Sequence, residues 1–218
     1  MPSIKTDPVQ LRYDLQIVAS WIPSGAKVLG LGCGEGDLLY FLKHQKQVKG
    51  SGIEKNEARV AACIEKGLTV LQGDINAEIL DYPDDAFDYV ICTLTLQQVY
   101  DPASLIRAML RIGKKGIVSF PNFSHWRIRW QLLLTGNAPK TKQLPYEWYN
   151  TPNIRVITLR DFRKFAQKVG IRIVKEVAIN TNNQDRRGTV TRRLSDWRGT
   201  YGIFMVEKHS SPSKNGVA

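Results

Sequence analysis

The run Val28-Leu29-Gly30-Leu31-Gly32-Cys33-Gly34-Glu35-Gly36 constrains this chain more than any other feature. A short apolar segment ends in alternating glycines, and a helix-forming stretch over residues 37–44 follows. That order predicts a strand, a tight turn and a helix start. The glycines let the backbone turn sharply and let a ligand approach it closely. The helix start offers unpaired N–H groups and the positive end of its dipole. The spacing is GxGxG. The third glycine of a GxGxxG dinucleotide fingerprint would fall at Glu35 or Asp37, which disfavours NAD.

Two acidic residues extend the pattern. Glu54, with Lys55 beside it, closes a predicted strand over residues 48–54, where a carboxylate can accept from both hydroxyls of a ribose. Asp74 and Ile75 follow a third strand over 68–72; Asp74 can accept from an adenine amino group while Ile75 covers the ring. Taken together, these residues predict a cleft for an adenosine-type cofactor.

The surrounding periodicity fits. Strands are expected over 27–31, 87–93 and 116–120 as well, and helices over 56–66 and 101–111, the last with Asp101 as N-cap and Pro102 at its first position. An N-terminal helix is expected up to Trp21, capped by Asp7 with Pro8 in its first turn. Strands alternating with helices imply an α/β doubly wound sheet with right-handed crossovers and ligands beyond the strands' carboxyl ends. After Pro121 the rhythm changes. A helix over 125–134 leads to a Pro- and aromatic-rich connection over 136–153. A helix over 158–169, capped by Thr158, precedes a strand pair at 171–179 and 201–207.

With 218 residues and 43% hydrophobic content, one domain over residues 1–209 and a disordered tail over 210–218 are expected. No leader pattern and no apolar run of about 18 residues is present, so a cytoplasmic protein is expected, with no membrane partner. Cys33, Cys63 and Cys92 have no CxxC spacing and read as small buried hydrophobes, with no metal site. Between Arg107 and Arg198 there are 20 Lys/Arg against 5 Asp/Glu; the rest of the chain has 11 against 15. A basic half suits a solvated surface, an acidic partner or nucleic acid.

From Val28 to Phe120 the chain resembles the class I S-adenosylmethionine-dependent methyltransferases. The resemblance implies a Rossmann-like sheet, mostly parallel with an antiparallel last strand, and S-adenosylmethionine or S-adenosylhomocysteine as cofactor. It implies that Gly32, Cys33, Gly34 and Gly36 hold the methionine part, Glu54 and Lys55 the ribose, and Asp74 and Ile75 the adenine. Residues 93–97, with Thr93 and Leu94 foremost, would line the methionine end. A closer resemblance rests on Ser119-Phe120-Pro121-Asn122-Phe123-Ser124-His125-Trp126 and on Leu144-Pro145-Tyr146-Glu147-Trp148-Tyr149-Asn150-Thr151-Pro152-Asn153. Both are similar to the MetW family of methionine biosynthesis. That implies a partner, homoserine O-acyltransferase (MetX). One departure stands out: such motifs usually open with an acid, as in VLDLGCG, where this chain has Gly30.

No catalytic residue is assigned. His125 and Tyr146 qualify as bases by type, but His125 also suits a cap at a helix start. Tyr146, Trp148 and Tyr149 also suit loop packing. The favoured reading is a cofactor-binding protein acting with MetX. The alternative is a small-molecule methyltransferase with residues 136–153 as its acceptor wall. Nucleic-acid binding through Arg186, Arg187, Arg192, Arg193 and Arg198 beside Trp197 is the least favoured.

Overall fold

A computed structural model describes residues 11–182 and 185–209. Its strands are β1 Lys27–Leu31, β2 Lys49–Glu54, β3 Thr69–Gln72, β4 Phe87–Thr93, β5 Gly113–Pro121, β6 Ile171–Asn180, β7 Thr189–Val190 and β8 Tyr201–Lys208. Its helices are α1 Tyr13–Trp21, α2 Asp37–Lys46, α3 Glu57–Glu65, α4 Ile75–Glu78, α5 Pro102–Ile112, α6 Trp126–Thr135, α7 Leu159–Lys168 and α8 Ser195–Arg198. The strands form one sheet in the order β3-β2-β1-β4-β5-β8-β6-β7. Pairs from β3 through β5 are parallel, whereas β8 runs antiparallel to both β5 and β6.

The middles of the central strands, such as Val28-Leu29, Val90-Ile91-Cys92 and Ile117-Val118, are apolar on both sides because both faces are covered. On one face Val28, Ile91, Ile117, Ile203 and Met205 pack with Leu15 and Val18 of α1 and Leu38, Leu39 and Leu42 of α2. On the other, Leu29, Val90, Val118, Phe120 and Phe204 meet Ile106 and Met109 of α5 and Leu159 and Phe162 of α7. Phe204 lies between two rings, stacked on Phe120 at 5.6 Å and tilted against Phe162 at 4.5 Å. Predicted caps are present. Asp101 accepts from the Ser104 N–H at 3.0 Å, and Thr158 from the Asp161 N–H at 3.1 Å.

Some boundaries differ from the sequence expectation. The first helix starts at Tyr13 with Arg12 as its non-helical N-cap; Asp7, Pro8 and the tail 210–218 lie outside the described residues. β5 begins at Gly113, ahead of the expected residue 116. Its first turns of chain are lysines, held by a Lys114–Asp88 ion pair at 2.7 Å and by Lys115 over the Tyr89 ring, so no apolar pattern announces them. The elements α4, β7 and α8 span two to four residues each, too few for periodicity to register. Among the described residues no helix is long and apolar enough to cross a membrane.

The Pro121–Trp126 motif is explained by packing. Asn122, 1% exposed, donates through Nδ2 to the Asp196 and Gly199 carbonyls at 3.0 and 2.8 Å. Its Oδ1 accepts from the Ser124 N–H and hydroxyl at 3.1 and 2.8 Å. One amide thus ties the end of β5 to α8. Asn122→Leu strands those groups in a buried site and is expected to cost about 2 kcal/mol in urea unfolding. A loss under 0.5 kcal/mol would show that the amide is dispensable.

Candidate functional site

Strand order reverses at β1, whose neighbours are β2 and β4, and a cleft of about 1030 Å³ opens beyond their carboxyl ends. The switch point of a doubly wound sheet is where such clefts form. The volume is at the upper end for small-molecule sites, enough for a nucleoside with an amino-acid arm and a second molecule.

The glycine turn forms one wall. Gly32 has φ +62° and Gly36 has φ +77°, both in the left-handed region. A Cβ on Gly32 would stand 2.8 Å from Thr95 Oγ1, and one on Gly36 would stand 2.4 Å from Leu68 Cδ1. Both glycines are therefore required by conformation and by contact. Gly34 differs: a Cβ there meets nothing within 4 Å, so the turn has open space in front of it. Gly36 faces Leu68 and Cys63 and stays off the cleft wall, serving as the N-cap of α2.

Glu54, 6% exposed, sits under the turn. Its Oε2 accepts from the Gly34 N–H at 2.9 Å and its Oε1 from the Asn56 N–H at 3.0 Å. One carboxylate thereby fixes both the glycine turn and the entry to α3. Each oxygen keeps acceptor capacity for a further donor. Asp74 caps α4, its Oδ1 accepting from the Asn76 backbone and side-chain N–H groups at 2.9 and 2.8 Å. Those hydrogen bonds, the backbone one first, hold its carboxyl below the usual range. Lys55 reaches Asp74 Oδ2 at 3.4 Å from a largely solvated position.

β4 supplies the opposite wall. Thr93 ends the strand and Leu94 follows with φ +52°, a strained value for a branched side chain. The strain is held from below. The Leu94 N–H donates to the Ser119 carbonyl at 3.0 Å, and the Leu94 carbonyl accepts from Gln97 Nε2 at 2.8 Å. Gln97 is 3% exposed, and its Oε1 has no partner among the described residues. Strained backbone over a buried amide is typical of functional clefts.

Cys33 lines the cleft beside Cys63. Burial first, then the neighbouring Cys63 thiol, push its pKa well above the ordinary thiol value, so it is a neutral thiol and a poor nucleophile. Thus Gly32, Cys33, Gly34, Glu54, Lys55, Asp74, Ile75, Thr93 and Leu94 share one cleft.

Of the other wall residues, Arg12 and Tyr201 carry no local sequence signal, whereas those of the long connection lie in the segment expected to form an acceptor wall. Arg12 reaches the cleft from the start of α1, paired with the buried Asp14 at 2.9 Å, and Tyr201 comes from β8. Gln143, Pro145, Tyr146, Pro152 and Asn153 come from the long connection, which Arg155 holds down by donating to the Val99 and Tyr100 carbonyls. Tyr146 is therefore in the cleft, while His125 is not. His125 is the N-cap of α6 and lines a neighbouring cavity; burial first, then the Arg127 charge, lower its pKa.

Comparison with solved structures defines the class. The fold matches a SAM-dependent methyltransferase from Thermotoga maritima with a TM-score of 0.67 at 20% identity, covering 90% of this chain and 87% of that one. It matches an S-adenosylmethionine-dependent methyltransferase from Mesorhizobium loti with a TM-score of 0.66 at 16% identity, covering 92% and 100%. The chain has the fold of the S-adenosylmethionine-dependent methyltransferases.

The family model "Methionine biosynthesis protein MetW" matches residues 12–206, and the chain belongs to the MetW family. A relative 34% identical over 185 residues is the bifunctional methionine biosynthesis protein MetXA/MetW of Rhodopirellula baltica. The match covers 81% of this chain and spans 30% of that relative's length. The ubiquinone biosynthesis O-methyltransferase of Pseudomonas fluorescens (strain Pf0-1) is 38% identical over 98 residues, covering 43% of this chain and 42% of the relative.

Proposed function

We propose that this chain binds S-adenosylmethionine or S-adenosylhomocysteine in the cleft and acts with homoserine O-acyltransferase, MetX, in methionine synthesis. The observation that carries the cofactor assignment is convergence: the glycine turn, Glu54, Asp74 with Ile75, and Thr93 with Leu94 lie at the carboxyl ends of four strands and meet in one cleft. The open space before Gly34 supports the fit, since a ligand can reach the backbone there. The turn and Cys33 would hold the methionine part, Glu54 with Lys55 the ribose, and Asp74 with Ile75 the adenine. When bound, S-adenosylmethionine supplies an electrophilic methyl group. The partner assignment is supported by the Rhodopirellula relative, whose name joins MetXA and MetW in one protein.

Calorimetric titration of both ligands tests the cofactor, and absence of binding to either would refute it. Gly30→Asp refines the test. A Cβ on Gly30 would lie 3.3 Å from Cys33 Cβ and 3.5 Å from Leu39 Cδ1, tight but accommodated by small shifts. Restoring an acid there is expected to tighten binding about tenfold, within the roughly 1–3 kcal/mol of a charged hydrogen bond. Unchanged or weaker binding would show that the chain manages without it.

A second reading, methyl transfer to a small molecule, is favoured by the space left beside a cofactor in a cleft of this volume and by Tyr146 on its wall. Transfer of this kind needs positioning more than a base. Incubation with methyl-labelled cofactor and cell extract decides it. Tight binding with no labelled product leaves the first reading alone.

A further inference from the structure

α6 is unusual among the helices of this fold. Of its ten residues only Ile128 is buried. Trp126, Trp130, Leu132, Leu133 and Leu134 are 37%, 46%, 53%, 73% and 74% exposed. Positions 126, 130, 133 and 134 follow helical i, i+4, i+7 and i+8 spacing, so they form one apolar stripe. Short helices are held mainly by burying such a stripe, and this one faces away from both cores. The following connection adds Trp148 and Tyr149, 76% and 70% exposed and packed edge to face. An exposed apolar stripe such as that of α6 marks an interaction surface.

Charge narrows the occupant. Between residues 102 and 146 the sequence has no Asp or Glu. Arg127 and Lys142 line the cavity beside Trp126, whereas Lys140 there is paired with Glu147 at 2.5 Å. In a symmetric pairing of two copies this surface would meet itself, setting cation against cation. A partner with an apolar patch rimmed by carboxylates is complementary. A lipid surface also takes tryptophan, leucine and arginine. The protein partner is favoured because a MetW relative is joined to MetXA in one chain.

We propose that the ridge formed by Trp126, Trp130, Leu133 and Leu134 is the surface on which MetX docks. The inference rests on the partnership proposed above. Trp126 of the ridge lines a second cavity, and that cavity shares Pro121, Gln143 and Pro145 with the cofactor cleft.

The test uses the full chain and the homoserine O-acyltransferase of the same organism, purified separately and mixed in calorimetry. Leu133→Asp/Leu134→Asp and Trp130→Ala are the ridge variants; Ile64→Asp, an exposed position on α3, is the control. S-adenosylhomocysteine titration confirms that each variant keeps its fold. The expected result is tight binding by the wild-type chain and the control, and a loss of roughly 100-fold or more in the double variant. If the ridge variants bind within threefold of the wild type, the ridge is not the interface although the partnership stands. If the wild-type chain does not bind, the partnership fails and the docking assignment with it. Ridge-dependent sedimentation with phosphatidylglycerol-containing vesicles and no acyltransferase binding would reassign the ridge to a membrane surface. Ridge-dependent self-association in ultracentrifugation without acyltransferase binding would reassign it to a second copy.

Discussion

Glu54→Ala is expected to weaken S-adenosylhomocysteine binding by roughly 100-fold or more, about 3 kcal/mol, and to destabilise the fold by about 2 kcal/mol. Both effects come from one carboxylate. It accepts from the Gly34 and Asn56 N–H groups, and it is the acceptor proposed for the ribose hydroxyls. Removing it leaves two N–H groups without their partner and lets the glycine turn drift from the strand end it is tied to. Glu54→Gln separates the contributions. The amide keeps one carbonyl acceptor but presents NH₂ where the second oxygen stood, so one of the two backbone bonds is lost. Intermediate stability with a still large loss of affinity is expected. The measurements are calorimetric titration and urea unfolding on the same preparations. Affinity within threefold of the wild type for Glu54→Ala would remove this residue from the binding site.

Phe204→Ala is expected to cost about 3–5 kcal/mol. Phe204 is fully buried between Phe120 and Phe162, and its strand joins the parallel half of the sheet to β6. Truncation removes the ring's transfer energy and opens a cavity flanked by two rigid rings that cannot collapse into it. In a chain of this size the loss corresponds to a fall in Tm of about 10 °C. Phe204→Leu should recover more than half of it. A cost below 1 kcal/mol for alanine would mean that the ring is replaced by rearrangement of its neighbours.

Much of the fold was legible because buried parallel strands write themselves as apolar runs. Val28 to Leu31 and Tyr89 to Cys92 have covered faces on both sides, so both parities are apolar. The candidate site was legible for a related reason. Glycines in a turn and acids at or just past strand ends are local signals, and the doubly wound topology brings strand ends together. What stayed hidden was set by distant contacts. Arg12 reaches the cleft because the Tyr13 N–H is bonded to the Asp185 carbonyl, 172 positions along the chain, and no window of sequence contains both. Leu94 was placed at the site by resemblance, but its strain was silent. Its left-handed backbone depends on Ser119 and Gln97, while leucine itself reads as strand or helix. The basic segment over residues 180–199 read as a long polar connection, functional or mobile, without elements of its own. It holds β7 and α8, the latter fastened by Asn122 and by Arg163 to Asp196.

The last strand among the described residues is placed inside the sheet, and this matters while the protein is being synthesised. β8 lies between β5 and β6, so neither can complete its pairing until residues 201–208 have left the ribosome. Until then the nascent chain carries two open strand edges and lacks Ile203, Phe204, Met205 and Val206, which serve both cores. Open edges next to exposed apolar surface invite pairing with other chains. A ribosome stalled before residue 201, or a protease that removes β8, would release a product without a closed sheet. Such a product should be insoluble and dependent on chaperones.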